Sequence, residues 1–155
     1  MNDKYRHIRQ ATTDDAPRIA EIEVFNYRLN FYPIFKNDDF YFNELQVSRE
    51  AEKLLDDKSV FQNSYVYDDG VVKGFIIIDG SDVWKLFVEP ALQGQSIGSQ
   101  LLSYAKEVHS VNSLWVLEKN TRAIKFYKKH GFCTTEEKIF EEGTVEYLVR
   151  MKRRF

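Results

Sequence analysis

The sequence predicts an α/β fold: one mixed sheet flanked by helices, in the order β-α-α-β-β-β-α-β-α-β-β. Three observations predict it. Apolar residues recur at helical spacing early in the chain and switch to strand-like runs and turns from about Tyr65. Two apolar strands, ending at Val88 and Leu117, are joined by a helical segment, a crossover that makes them parallel neighbours. The other strands are linked by tight turns, so the sheet is mixed. The 155 residues suffice for one full core, and without a repeat, a low-complexity stretch or a Pro/Gly-rich linker, residues 1–155 read as a single domain.

Residues 7–11 form a short strand. Thr12, Thr13, Asp14 and Asp15 then supply caps and N-terminal negative charge, and Pro17 suits a first helical turn. Ala16, Ile19, Ala20, Val24 and Tyr27 recur at helical spacing and predict a helix over about 14–26. A dense aromatic stretch follows, from Phe25 through Phe31, Tyr32 and Phe35 to Phe40, Tyr41 and Phe42, interrupted by Pro33 and by Asn37-Asp38-Asp39. A second helix is predicted over 48–56, with Ala51, Leu54 and Leu55 facing inward.

Residues 65–67, the turn Asp68-Asp69-Gly70 and residues 71–78 read as a hairpin. Asp79-Gly80 turns the chain into a third strand over 83–88. Ile97, Leu101, Leu102, Ala105 and Val108 mark a helix over about 94–109. A strand over 113–117, a helix over 121–130 closed by Gly131, and a final hairpin over 135–140 and 144–151 complete the chain.

Composition excludes some function classes. Net charge is −2, so there is no bulk electrostatic case for nucleic acid, and Lys152-Arg153-Arg154 reads as a solvated strand end. Cys133 is the only cysteine; it can form no internal disulfide and has no partner base nearby in sequence. Met1 to Arg6 is polar, with no apolar signal region, and no apolar run reaches membrane-spanning length. No membrane partner is expected, and the cytoplasm is the default location. His7, His109 and His130 lack metal-ligand spacing, so no metal is expected.

Most functional information lies in two segments. Residues 86–99 are an apolar strand running into a small-residue turn and a helix, LFVEPALQGQSIGS. That arrangement offers unpaired helix N-terminal N–H groups to an anion, and Gly94 and Gly98 allow close backbone approach. Taken alone it equally reads as turn chemistry. It is neither a P-loop, having no Gly-Lys-Ser/Thr, nor a dinucleotide fingerprint, having no G-x-G-x-x-G. The second segment, residues 120–132, NTRAIKFYKKHGF, ends a helix with Tyr127 one turn before Gly131. An anion cradle and a phenol about 30 residues apart suggest a phosphate-bearing cofactor beside an acid.

Together, in order and at this spacing, Val-x-Pro-x-x-Gln-Gly-x-x-Ile-Gly and Asn-x-x-Ala-x-x-Phe-Tyr-x-x-x-Gly-Phe resemble the GNAT superfamily of acetyl-CoA-dependent N-acetyltransferases. The strand order is similar to that fold, and the resemblance covers about residues 65–151 and, more loosely, the N-terminal helices. It implies that Gln93, Gly94, Gln95, Ser96, Ile97, Gly98 and Ser99 wrap the pyrophosphate of coenzyme A. Backbone groups of Phe87 and Val88 would pair with the pantetheine arm and orient the acetyl carbonyl, and Asn120 and Ala123 would line the far side of the groove. Tyr127 would stand near the sulfur and protonate the leaving thiolate, while the Val88 N–H would hold the oxyanion. The chain departs from the pattern twice. Ser96 stands where the family usually has Gly, and Trp84-Lys85 occupies the strand position where many members carry a carboxylate. Asp82, Glu21, Glu23 and Glu89 are therefore the candidates for the base.

The implied reaction is direct acetyl transfer from the thioester to the amine of a small molecule. Acetylation of protein α-amino groups or lysines, and a non-catalytic coenzyme A sensor, are the alternatives. In the family the N-terminal helices and final hairpin form the acceptor site, so the aromatic stretch reads either as core or, through Phe31, Tyr32 and Phe35, as acceptor wall. Homodimerisation is compatible with the family, and nothing in the sequence fixes it.

Overall fold

The computed structural model describes residues 3–154; Met1, Asn2 and Phe155 lie outside the described residues. Seven strands form one sheet in the order β1-β2-β3-β4-β5-β7-β6. They are β1 (Ile8–Gln10), β2 (Ser64–Asp68), β3 (Val72–Asp79), β4 (Asp82–Val88), β5 (Ser113–Leu117), β6 (Phe132–Phe140) and β7 (Tyr147–Arg153). All neighbours are antiparallel except β4 and β5, the parallel pair expected of the crossover. The last hairpin joins the sheet through its second strand, so β7 lies between β5 and β6.

Two layers of helix cover the sheet. On one face lies α5 (Ile97–His109) with α6 (Thr121–Lys129), and on the other α1 (Ala16–Asn26) with α3 (Val47–Asp56). The run Phe75-Ile76-Ile77-Ile78 of β3 feeds both layers alternately. Ile76 and Ile78 pack beneath Leu101 and Leu102 of α5, while Phe75 and Ile77 meet Ile19 and Ile22 of α1. This continuous apolar run marks a strand buried on both sides.

The aromatic stretch is wound more loosely. Two π-helical turns, Tyr27–Phe31 and Asp39–Glu44, flank a four-residue helix α2 (Tyr32–Phe35), which Lys36 ends in left-handed conformation at φ 52°. A short helix α4 (Lys58–Gln62), not anticipated from the sequence, is capped by the Asp57 side chain accepting the Val60 N–H. Ala51 and Leu54 face inward as expected, but Leu55 is 39% exposed, because it lies one helical step past the face that α3 presents to the sheet. Among the described residues no helix is long and apolar enough to cross a membrane.

One break in the sheet positions everything that follows. The β4–β5 ladder contains only Asp82↔Ser113 and Val83↔Leu114, although β4 continues to Val88 and β5 to Leu117. Arg150 grips Asp82 with both nitrogens (2.8 and 3.0 Å), and Ser113 donates to the same carboxylate. Beyond this clamp the two strands part.

Candidate active site

A cavity of about 350 Å³ occupies one side of the split. Its walls are residues 86–88 of β4, the loop at Gln93, Gly94 and Ser96, the first turn of α5, and Asn120, Ala123, Phe126 and Tyr127. The helix predicted from about residue 94 starts at Ile97 instead, because Gly94 (φ 87°) and Ser96 (φ 65°) take left-handed conformations that turn the loop ahead of it. Such turns point successive amides into one concavity, and the unpaired N–H groups of a 13-residue helix add to it. At Ser96 the conformation costs about 1 kcal/mol, since its Cβ crowds the backbone. Gln95 is exposed and does not line the cavity.

This wall is assembled by close backbone approach. A Cβ on Gly74 of β3 would lie 3.1 Å from the Phe87 carbonyl oxygen and 3.2 Å from Ile97 and Leu101. The Glu89 N–H donates to the Lys73 carbonyl (2.9 Å). In an antiparallel ladder this makes Gly74↔Val88 the open pair and Phe75↔Phe87 the hydrogen-bonded one. The backbone groups of Phe87 thus serve the sheet, and those of Leu86 and Val88 face the split.

Buried Asn26 ties the parts together. Its amide donates to the Ile22 and Val88 carbonyls (both 2.9 Å), and the Gln93 amide donates to its side-chain oxygen (3.3 Å). Across the cavity, Asn120 caps α6 by accepting the Ala123 N–H (3.2 Å). Ser99 and His130 are in hydrogen-bond contact at 3.0 Å, and the His130 ring packs on Phe126 with centroids 4.7 Å apart.

A second cavity, of about 580 Å³, opens on the other side of the split. Its lining includes Phe31, Phe35, Phe40 and Tyr41 of the aromatic stretch, Trp84 and Trp115 of the strands, and Glu141, Glu142, Gly143 and Thr144 of the β6–β7 turn. Of the three rings anticipated as walls, Phe31 and Phe35 serve, while Tyr32 packs on Tyr41 and Phe42 and donates to Asp38 (2.5 Å).

The two cavities share Leu86, Phe87, Asn120, Ala123 and Tyr127. Tyr127 is 8% exposed, with its ring against Phe126 and Phe132. Burial pushes its phenol far above the usual range, so it is protonated at neutral pH.

The four candidate carboxylates separate by position. Asp82 is held by Arg150 and Ser113 at the closed end of the split. Glu21 pairs with Arg18 (2.6 Å). Glu89 lies 3.8 Å from Arg18, with one oxygen lacking a hydrogen-bond partner. Glu23, 6% exposed on α1, is ion-paired to Lys85 and lies near the Tyr27 phenol, and both Lys85 and Tyr27 line the second cavity. Burial first and Glu23 second push the Tyr27 phenol well up. Glu23 and Asn26 did leave a signal in the sequence: Ile19, Ile22, Glu23 and Asn26 follow an i, i+3, i+4, i+7 pattern, so two polar side chains sit on an apolar helix face.

Residues 61–134 match the family model described as "Acetyltransferase (GNAT) domain". The chain is similar to the peptidyl-lysine N-acetyltransferase YjaB of Salmonella typhimurium, 37% identical over 70 residues, covering 45% of this chain and 48% of that protein. It is 36% identical over 72 residues to the peptidyl-lysine N-acetyltransferase YiaC of Escherichia coli, covering 46% and 49%. The chain thus spans about half the length of these curated relatives. Among solved structures, the PaiA N-acetyltransferase of Thermoplasma acidophilum in complex with coenzyme A superposes with a TM-score of 0.73 at 20% identity, over 95% of this chain and 98% of that one, and so shares the fold.

Proposed function

The chain belongs to the GNAT superfamily of acetyltransferases, and on that premise we propose that it transfers an acetyl group from acetyl-CoA directly to the primary amine of a small molecule. The single observation that carries this reading is the wall common to the two cavities. It gives a donor and an acceptor one meeting point, at Tyr127 and the open edge of β4.

The first cavity fits acetyl-CoA. The Gly94–Ser96 turn and the start of α5 offer amides to its pyrophosphate, and the β4 edge that β5 leaves unpaired, at Leu86 and the Val88 N–H, matches an extended amide-bearing arm. Bound there, acetyl-CoA supplies the acetyl group as an activated thioester. The Val88 N–H faces the split and stabilises negative charge on the carbonyl oxygen as the amine adds. The Tyr127 phenol hydrogen-bonds the departing sulfur, whose thiol has a pKa near ~8.5 by analogy with cysteine, and relays to it the proton that the adding nitrogen sheds, so the phenol ends protonated. An alkyl amine, with a pKa near ~10.4, must first lose a proton. Glu23 is the carboxylate whose partners reach the acceptor cavity, and it draws that proton through the Tyr27 hydroxyl.

The acceptor cavity favours a free amine. At about 580 Å³ it exceeds what one lysine side chain fills and lies in the range of small-molecule sites. A second reading, acetylation of protein lysines, is favoured by the names of YjaB and YiaC. Thiol release from acetyl-CoA across a panel of alkyl amines, amino acids and lysine peptides tests both. Turnover with free amines supports the first reading, turnover confined to peptides supports the second, and no thiol release with any acceptor overturns acetyl transfer.

A further inference from the structure

We propose that the acceptor is a linear primary amine carrying a second positive charge at its far end, and that Glu141 and Glu142 of the β6–β7 turn select it. This rests on the acetyl-transfer reading above and specifies the acceptor class.

The cavity's charges point this way. Three formal charges line it: Lys85, Glu141 and Glu142. Lys85 is neutralised by Glu23, while no cation pairs with Glu141 or Glu142 among the described residues. The uncancelled charge is therefore negative and lies at the turn. Half of the remaining lining residues are aromatic, among them Phe31, Phe35, Trp84 and Trp115. Ring faces hold apolar chains and attract ammonium groups. An amine with a carboxylate at its far end would meet Glu141 and Glu142 and be repelled.

Position supports it as well. Tyr127 and the open edge of β4 form the wall shared with the first cavity, and the turn lines the second cavity alone. An amine with its nitrogen at the shared wall and its chain directed at the turn puts its distal end beside Glu141 and Glu142. The turn is held in place there: the Glu141 N–H donates to the Glu146 carbonyl (2.8 Å), and Thr144 donates to the Glu141 carbonyl through its N–H (3.0 Å) and hydroxyl (2.8 Å). Its charge reaches the rings. Burial first and Glu141 second raise the Tyr41 phenol to about 12.

The test compares pentylamine, its diamine counterpart cadaverine, and aminovalerate, by thiol release and by fluorescence. The chain's two tryptophans, Trp84 and Trp115, both line the cavity and report occupancy without turnover. Cadaverine should exceed pentylamine in kcat/KM by about tenfold, the scale of two partly exposed charge contacts, and aminovalerate should be the poorest. In the double variant Glu141→Gln/Glu142→Gln the ratio of cadaverine to pentylamine should fall to about one. If that variant releases no thiol, loss of cadaverine-induced quenching still supports the proposal and retained quenching overturns it. Pentylamine acetylated as well as cadaverine by the unaltered protein, or a lysine peptide preferred to both, overturns it while leaving acetyl transfer standing. Carboxylate-dependent quenching by cadaverine, with no thiol released by any amine, supports the distal-cation site and removes acetyl transfer instead.

Discussion

The two cavities that meet at the sheet split are made of different material. The donor side is made largely of backbone: the open β4 edge, two left-handed turns and a helix N-terminus, with buried amides as struts. The acceptor side is made of side chains, rings from four separate segments and two carboxylates on a turn. A backbone surface recognises what all its ligands share, and a side-chain surface recognises what distinguishes one ligand from the next. The donor side should therefore tolerate substitutions except where a Cβ or a strut intervenes, and the acceptor side should respond to each ring and charge.

Tyr127 belongs to both sides, and its variant is the most severe test of the division. Tyr127→Phe should lower kcat about 100-fold, the usual scale for removing a general acid, with coenzyme A affinity nearly constant by calorimetry. Full turnover would end the acid assignment. Asn26→Leu should strike the donor side alone. It leaves the Val88 carbonyl without its main donor, at a cost of about 1–3 kcal/mol, seen as a lower Tm together with weaker coenzyme A binding. Unchanged affinity would show that the strut does not shape the groove.

Phe35→Ala sharpens the contrast from the other side. It should raise acceptor KM several-fold with coenzyme A affinity constant, and parallel loss of both would merge the two cavities into one functional unit. Ser96→Gly relieves about 1 kcal/mol of left-handed strain, partly offset by the greater entropy of an unfolded glycine. A small rise in Tm with retained coenzyme A binding is expected; a fall in Tm would mean that the serine hydroxyl stabilises the turn. The smallest effect concerns His130. Burial first, then Lys106 and Lys129, hold its pKa below the ordinary 6.5. The folded state then binds fewer protons there than the unfolded one, so this contribution favours folding above about pH 6.5 and is lost as pH falls below it. His130→Gln should flatten the pH dependence of Tm between about pH 7 and 5, and an unchanged slope would show that His130 does not contribute.

The difference in material also explains what the sequence could reveal. The wall of the first cavity was legible because it is local: a strand, a turn and a helix start contiguous in the chain, and Asn120 caps the very helix that carries Tyr127. The crossover could be read for the same reason, from the segment between Val88 and Leu117. The second cavity was legible only in part: Phe31 and Phe35 were offered as walls and line it, whereas Glu23 meets Lys85, and in the first cavity Asn26 meets Val88, across 62 residues, contacts that no local period encodes. Gly74 gave no turn signal, because its purpose is the approach of Ile97 and Leu101 from the far side of the sheet. The π-helical turns of the aromatic stretch follow neither the helical nor the strand period, so its rings could be counted but not aimed.

The two-residue ladder between β4 and β5 has a mechanical consequence. The sheet is two plates, β1 to β4 and β5 to β7, joined along one short hinge that Asp82, Ser113 and Arg150 rivet shut. Both plates pack under α5, and the wedge between them opens away from the rivet. An extended ligand bonded to the open edge of β4 and braced against α6 is a strut across that wedge. Acetyl-CoA bound there as proposed would brace the wedge at the place where the acceptor's nitrogen has to reach the reacting carbonyl.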